Sequence, residues 1–125
     1  MDSSKIFYSL FTAGEALNIT ASTAKKSFNH STKGVDLIEV ILTDKDGKAV
    51  YDAANNIEVS ITGPAKLLGL ESGDLASHES YQSNFRKVYK GKLLTYIQSQ
   101  AKAGTIKVTF SSPGLISKTI TYTTE

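Results

Sequence analysis

The sequence has no cysteine and no tryptophan, and only one methionine and two prolines in 125 residues. The lack of cysteine removes disulfides, thiolate zinc sites and cysteine nucleophiles together, and leaves the redox compartment open. The lack of tryptophan removes the largest flat side chain that could stack on a sugar ring, so any carbohydrate platform would rest on tyrosine. No long apolar run is present: Ile6-Phe7-Tyr8-Ser9-Leu10-Phe11 is too short and too polar for a signal core or a membrane span. Charge of one sign is scarce too. The net +2 comes from Lys and Arg spread along the chain with acids between them, which gives no basic stripe for nucleic acid. No segment of about ten residues shows a helical period. The length fits one domain able to bury about two-thirds of its unfolded surface.

What remains is period-two alternation. Leu17, Ile19 and Ala21 alternate with Asn18, Thr20 and Ser22, the pattern of a half-buried strand. Residues 25–33 are polar and read as a loop closed by Gly34. Val35 to Thr43 is the most apolar stretch, with Ile38, Val40 and Leu42 on one face and Leu37 and Ile41 on the other, as a central strand requires. Ile57, Val59 and Ile61 alternate up to Gly63-Pro64, Lys66 to Leu70 is a short strand, and residues 87–89 are expected to pair at the exit of the loop that follows. Leu93 to Ser99, then Ile106-Val108-Phe110, then Ile116 to Tyr122 complete the set. Turns recur about every eight to twelve residues, so seven or eight strands predict an all-β, two-sheet sandwich of immunoglobulin type.

The motifs that suggest chemistry mostly dissolve on inspection. Asp44-Lys45-Asp46-Gly47 looks like the start of a calcium loop, yet an EF-hand wants an oxygen ligand at its fifth position and Glu at its twelfth. Lys48 and Asn55 stand there, so a plain turn is expected. Ser77-His78-Glu79 places a nucleophile, a base and an acid side by side, whereas a working triad converges from separate elements. His30 and His78 are too far apart to carry metal-ligand spacing, and no metal or other cofactor is expected. Glu71, Asp74 and Glu79 share one loop, but Ser, Asn and Gly around them imply solvated carboxylates rather than the tuned pair of a glycosidase. The same loop offers Asp74, His78, Glu79, Tyr81, Asn84, Arg86 and Tyr89, a set suited to contacting either oligosaccharide or a neighbouring domain.

The ordered series Gly63-Pro64, Leu68-Gly69, Gly73-Asp74, Ser77-His78-Glu79, Arg86, Gly91-Lys92, Gln98-Ser99, Ala103-Gly104-Thr105-Ile106 and Gly114-Leu115 resembles the C-terminal immunoglobulin-like domain of family 2 glycoside hydrolases, the β-galactosidase group. Thr12-Ala13-Gly14-Glu15-Ala16 and Lys33-Gly34-Val35-Asp36-Leu37 extend the likeness upstream, to about residues 12–123. In that pattern an Asn usually precedes the Gly-Asp turn, where this chain has Ser72. The resemblance implies that residues 1–14 are the last strand or linker of a preceding domain and 15–125 the sandwich. It implies no catalytic residue here, because the family's glutamate acid/base and nucleophile belong to a separate (β/α)₈ barrel of about 250 residues. The expected partners are the other domains of a bacterial parent, exported to the periplasm or cell surface, with oligosaccharide as a further candidate; nucleic acid and membrane are not expected partners. The rival readings are a free-standing bacterial immunoglobulin-like surface module and a carbohydrate-binding module, and fold alone separates none of these.

Overall fold

The computed structural model describes residues 14–23, 25, 27–29, 31–72 and 84–124. Nine strands run in order: β1 Asn18–Thr23, β2 Ser27–Phe28, β3 Val35–Thr43, β4 Asn56–Thr62, β5 Ala65–Glu71, β6 Phe85–Lys87, β7 Lys92–Ser99, β8 Thr105–Ser111 and β9 Lys118–Thr124. They form a four-stranded sheet, β1-β3-β7-β5, and a five-stranded sheet, β2-β9-β8-β4-β6. The expected all-β sandwich is what the chain builds, and no described residue is helical.

Alternation decides which side chains fill the space between the sheets. From the four-stranded sheet come Ile19, Ile38, Val40, Leu42, Leu70, Leu93 and Ile97, and from the other come Phe28, Ile57, Val59, Ile106, Val108, Phe110 and Tyr122, all at most 4% exposed. β3 pairs with β1 and with β7, Ile38 opposite Thr23 and Thr95, so it is interior to its sheet as expected. Its second face is a different matter: Val35 is 47% and Leu37 41% exposed.

Two elements depart from the sequence reading. Ser27 and Phe28, expected within a loop, pair in parallel with Thr123 and Thr124. Phe28 is drawn there by its ring, which packs on Tyr122 with centroids 4.9 Å apart. The strand expected over residues 87–89 at the exit of the long loop lies earlier. Phe85 to Lys87 pair with β4, Arg86 opposite Ile57, because that sheet has a free edge on β4 and Arg86 shares the phase of its buried face.

The crossings between sheets rest on tight turns. Gly63 joins β4 to β5 at φ 95°, where a Cβ would lie 2.0 Å from the Thr105 carbonyl oxygen, so only glycine fits. The turn after β3 is the expected plain one. Asp44 accepts backbone N–H bonds from Asp46 at 2.9 Å and Lys48 at 3.0 Å on one oxygen, and from Gly14 at 2.9 Å on the other. Three backbone donors favour the charged form. With Gly14 the largest cause, they hold this carboxyl below its ordinary 3.8.

Candidate interface at the strand edge and the entry end

Of the seven residues singled out in the sequence, Asp74, His78, Glu79 and Tyr81 lie outside the described residues, while Asn84, Arg86 and Tyr89 lie within them. The structure separates these three. Asn84 is exposed just before β6, and its carbonyl accepts the Val59 N–H at 2.7 Å. Its backbone therefore fixes β6 to β4, and the side chain is left to solvent.

Arg86 is only 3% exposed. A guanidinium carries donors and no acceptor, so burial is tolerable only where those donors are met. Its Nε donates to Ser72 Oγ at 3.4 Å, which links the end of β5 in one sheet to β6 in the other. Arg86 thus braces the open edge of the sandwich beneath the ends of the long loop. Its charge is permanent and it has no proton to exchange near neutral pH, which suits a brace and not an acid or base.

Tyr89 sits elsewhere, at the end of the sandwich where the chain enters at Gly14. It opens a two-residue hairpin closed by the Tyr89 and Lys92 backbones at 3.0 and 3.1 Å. Both central residues have positive φ, Lys90 at 54° and Gly91 at 74°, as a type I′ turn demands. The Gly91 position is fixed by contact as well, since a Cβ there would meet the Val50 carbonyl oxygen at 2.2 Å. Tyr89 is 41% exposed with the Lys90 ammonium 5.6 Å above its ring, and Tyr51, following Val50, is 72% exposed. Tyr51 escaped the sequence reading because it lies outside the long loop, in a stretch that carries no motif.

Beside these residues runs an open cleft of about 700 Å³, lined in part by Gly14, Ala16, Val50, Ala53, Pro113 and Leu115, with Glu15 and Asp52 as its ionisable groups. Among the described residues no group of three or more His, Cys, Asp or Glu could hold a metal ion. The buried carboxylates elsewhere serve the fold. Asp36 Oδ2 accepts from Tyr122 Oη at 2.7 Å and also from Thr23, and burial, together with that carboxylate, raises the Tyr122 phenol well above its ordinary value.

The model for glycoside hydrolase family 2 C-terminal domain 5 matches residues 19–121. Beta-galactosidase BoGH2A of Bacteroides ovatus is 29% identical over 104 residues, which is 83% of this chain and 12% of that protein. A β-glycosidase from Bacteroides vulgatus superposes with a TM-score of 0.85 at 25% identity, over 89% of this chain and 14% of its own. A glycosyl hydrolase family 2 member from Bacteroides cellulosilyticus superposes at 0.83 with 28% identity, over 89% and 15%. The chain therefore spans only about an eighth of the curated relative it matches.

Proposed function

This chain belongs to the glycoside hydrolase family 2 C-terminal domain 5 family, and we propose that it is a non-catalytic accessory sandwich within a retaining β-galactosidase. Its work there is to pack on the catalytic part of the parent. The observation that carries this reading is the extent of the likeness: 104 residues cover 83% of this chain and 12% of a β-galactosidase. The family's domain takes up residues 19–121, and a (β/α)₈ barrel needs about 250 of its own. The uses made of its buried acids agree. Asp36 and Asp44 are each held by hydrogen bonds within the fold.

A second reading, contact with oligosaccharide at the entry end, is favoured by Tyr51 and Tyr89 being exposed at 72% and 41%. Tyrosine faces of this kind are what sugar rings stack on. Both readings are tested by assaying the purified chain against a chromogenic β-galactoside and titrating it calorimetrically with β-linked galacto-oligosaccharides. The accessory reading expects no turnover; turnover removed by no purification step would overturn it. Saturable heat that Tyr89→Ala and Tyr51→Ala each abolish would establish the sugar contact, and silence in the titration would remove it.

A further inference from the structure

Away from their edge strands, where β6 exposes Phe85 and β1 turns Thr20 and Ser22 outward, the two sheets present opposite chemistry to the outside. On the five-stranded sheet the outward positions of β4, β8 and β9 are Glu58, Ser60, Thr62, Thr105, Lys107, Thr109, Ser111, Thr119, Thr121 and Thr123. The four-stranded sheet instead turns Val35, Leu37, Ile41, Leu94 and Tyr96 outward, in phase opposite to its buried residues, with Leu68 beside them at the β5 bulge. Pairing makes these neighbours: Leu37 lies opposite Tyr96, and Tyr96 opposite Gly69, which has no side chain to roughen the surface. An antiparallel sheet that faces water has polar residues on that side, and a contiguous apolar patch marks a surface that another covers.

We propose that this outer face docks on the part of the parent polypeptide that precedes Gly14, and that the five-stranded sheet stays in solvent. The inference rests on the accessory reading above and adds to it the face and the occupant. Three observations choose the occupant. The family is a C-terminal domain and the chain covers 12% of a relative's length, so the bulk of such an enzyme lies upstream. The upstream connection is made at the edge of this same sheet: β1 is its edge strand, and the chain is held on entry by Leu17 N–H to the Thr43 carbonyl at 2.8 Å and Gly14 N–H to Asp44 at 2.9 Å. The exit, by contrast, is on β9 of the other sheet.

The third observation is chemical. Across the middle of the face, Glu39, Leu94 and Glu71 stand in one row. Tyr96 Oη donates to Glu71 Oε2 at 3.1 Å, which satisfies part of that carboxylate. Lys66 and Lys92 lie at the margins of the face, where long stems reach water even when the centre is covered. Glu39 has no such escape, and a buried carboxylate must be paired. The covering surface is therefore apolar with an Arg or Lys placed to meet Glu39.

The cysteine-free sequence allows a direct test. Leu37→Cys and Val35→Cys report on the apolar face, Thr121→Cys on the opposite one, each followed by maleimide labelling and peptide mass mapping in this chain and in the full-length parent. The expected result is fast labelling at all three sites in the chain alone. In the parent, residues 35 and 37 should slow by at least about tenfold while residue 121 is unchanged. Protection of residue 121 instead would overturn the choice of face and leave the accessory role standing. No protection anywhere would overturn docking itself and the accessory reading with it. A dimer of this chain in light scattering, dispersed by Leu37→Lys, would replace the upstream domain with a second copy and overturn the occupant.

Discussion

The two sheets divide the apolar side chains of this domain in unlike ways. The five-stranded sheet turns Phe28, Phe110 and Tyr122 inward, at 4%, 0% and 0% exposure, and, Phe85 on its edge strand apart, lines its exterior with Thr, Ser, Lys and Glu. The four-stranded sheet contributes aliphatic residues without aromatics to the core, with Asp36, Thr95 and Ser99 buried among them, and keeps apolar residues outside as well. A sheet with one greasy face is complete once it meets its partner. A sheet with two is complete only when something else covers it. On the proposed docking, the stability of the isolated sandwich and its association with a parent fall to different surfaces, and substitutions can pull them apart.

The largest effect is expected at the centre of the inner face. Phe110→Ala removes a fully buried ring and should cost about 3–5 kcal/mol in urea unfolding. Leu37→Ala, on the outer face of the other sheet, should stay within about 0.5 kcal/mol in the chain alone. Equal losses at the two positions would erase the distinction between the faces.

Next comes a polar tie that crosses between the sheets near the core. Tyr122 donates from β9 to Asp36 on β3 at 2.7 Å. Tyr122→Phe keeps the ring against Phe28 and leaves Asp36, 6% exposed, short of a donor, at a cost of about 1–3 kcal/mol. The same tie has a pH signature. The Tyr122 phenol is raised above its ordinary 10.0, by burial first, so its contribution is complete below about pH 10, where the unfolded phenol begins to ionise. It is lost as pH rises toward the folded value. Thermal melts of the wild type should fall above about pH 10 more steeply than those of Tyr122→Phe.

At the entry end of the four-stranded sheet the sign reverses. Asp44 is held below 3.8, chiefly by its bond from Gly14, so its contribution is present above about pH 4 and disappears as pH falls through the folded value. Asp44→Asn should lower the melting temperature at pH 7 and flatten its decline between about pH 4 and pH 2. An acid limb unchanged by the substitution would show that other carboxyls set it.

Much of this was legible in the sequence, and what was not had physical reasons. The inner faces of β3, β4 and β8 follow directly from period-two alternation, since each strand has one buried side of Ile, Val, Leu or Phe. Asp44-Lys45-Asp46-Gly47 declared its turn because Asp and Gly at those places bond and bend locally. Strands β2 and β6, of two and three residues, are held by partners far along the chain and have no local pattern to show. Arg86 read as a loop residue because an arginine among Ser, Asn and Lys implies solvent. Its true signal was the spacing to Val88, two residues on and also buried. The entry-end tyrosine at 51 carried no motif at all, and its exposure follows from the Gly91 hairpin seating itself on Val50.

The smallest effect tests the four-stranded sheet at its one imperfection. Thr95 is 0% exposed, lies between Ile38 and Leu70 in the pairing, and its hydroxyl has no hydrogen-bond partner among the described residues. A buried hydroxyl without a partner loses its hydration for nothing. Thr95→Val replaces it with a methyl of similar size and should raise stability by about 0.5–1 kcal/mol. Thr95→Ser keeps the hydroxyl and removes the methyl, and should lower it by about 1 kcal/mol. If Val destabilises instead, the hydroxyl is bonded in solution, by a buried water or by a shifted backbone carbonyl. If Val stabilises, the hydroxyl serves nothing in the fold, and the polar demands of this inner face rest with Asp36 and Ser99, whose bonds from Tyr122 and from the Gly34 N–H are already made.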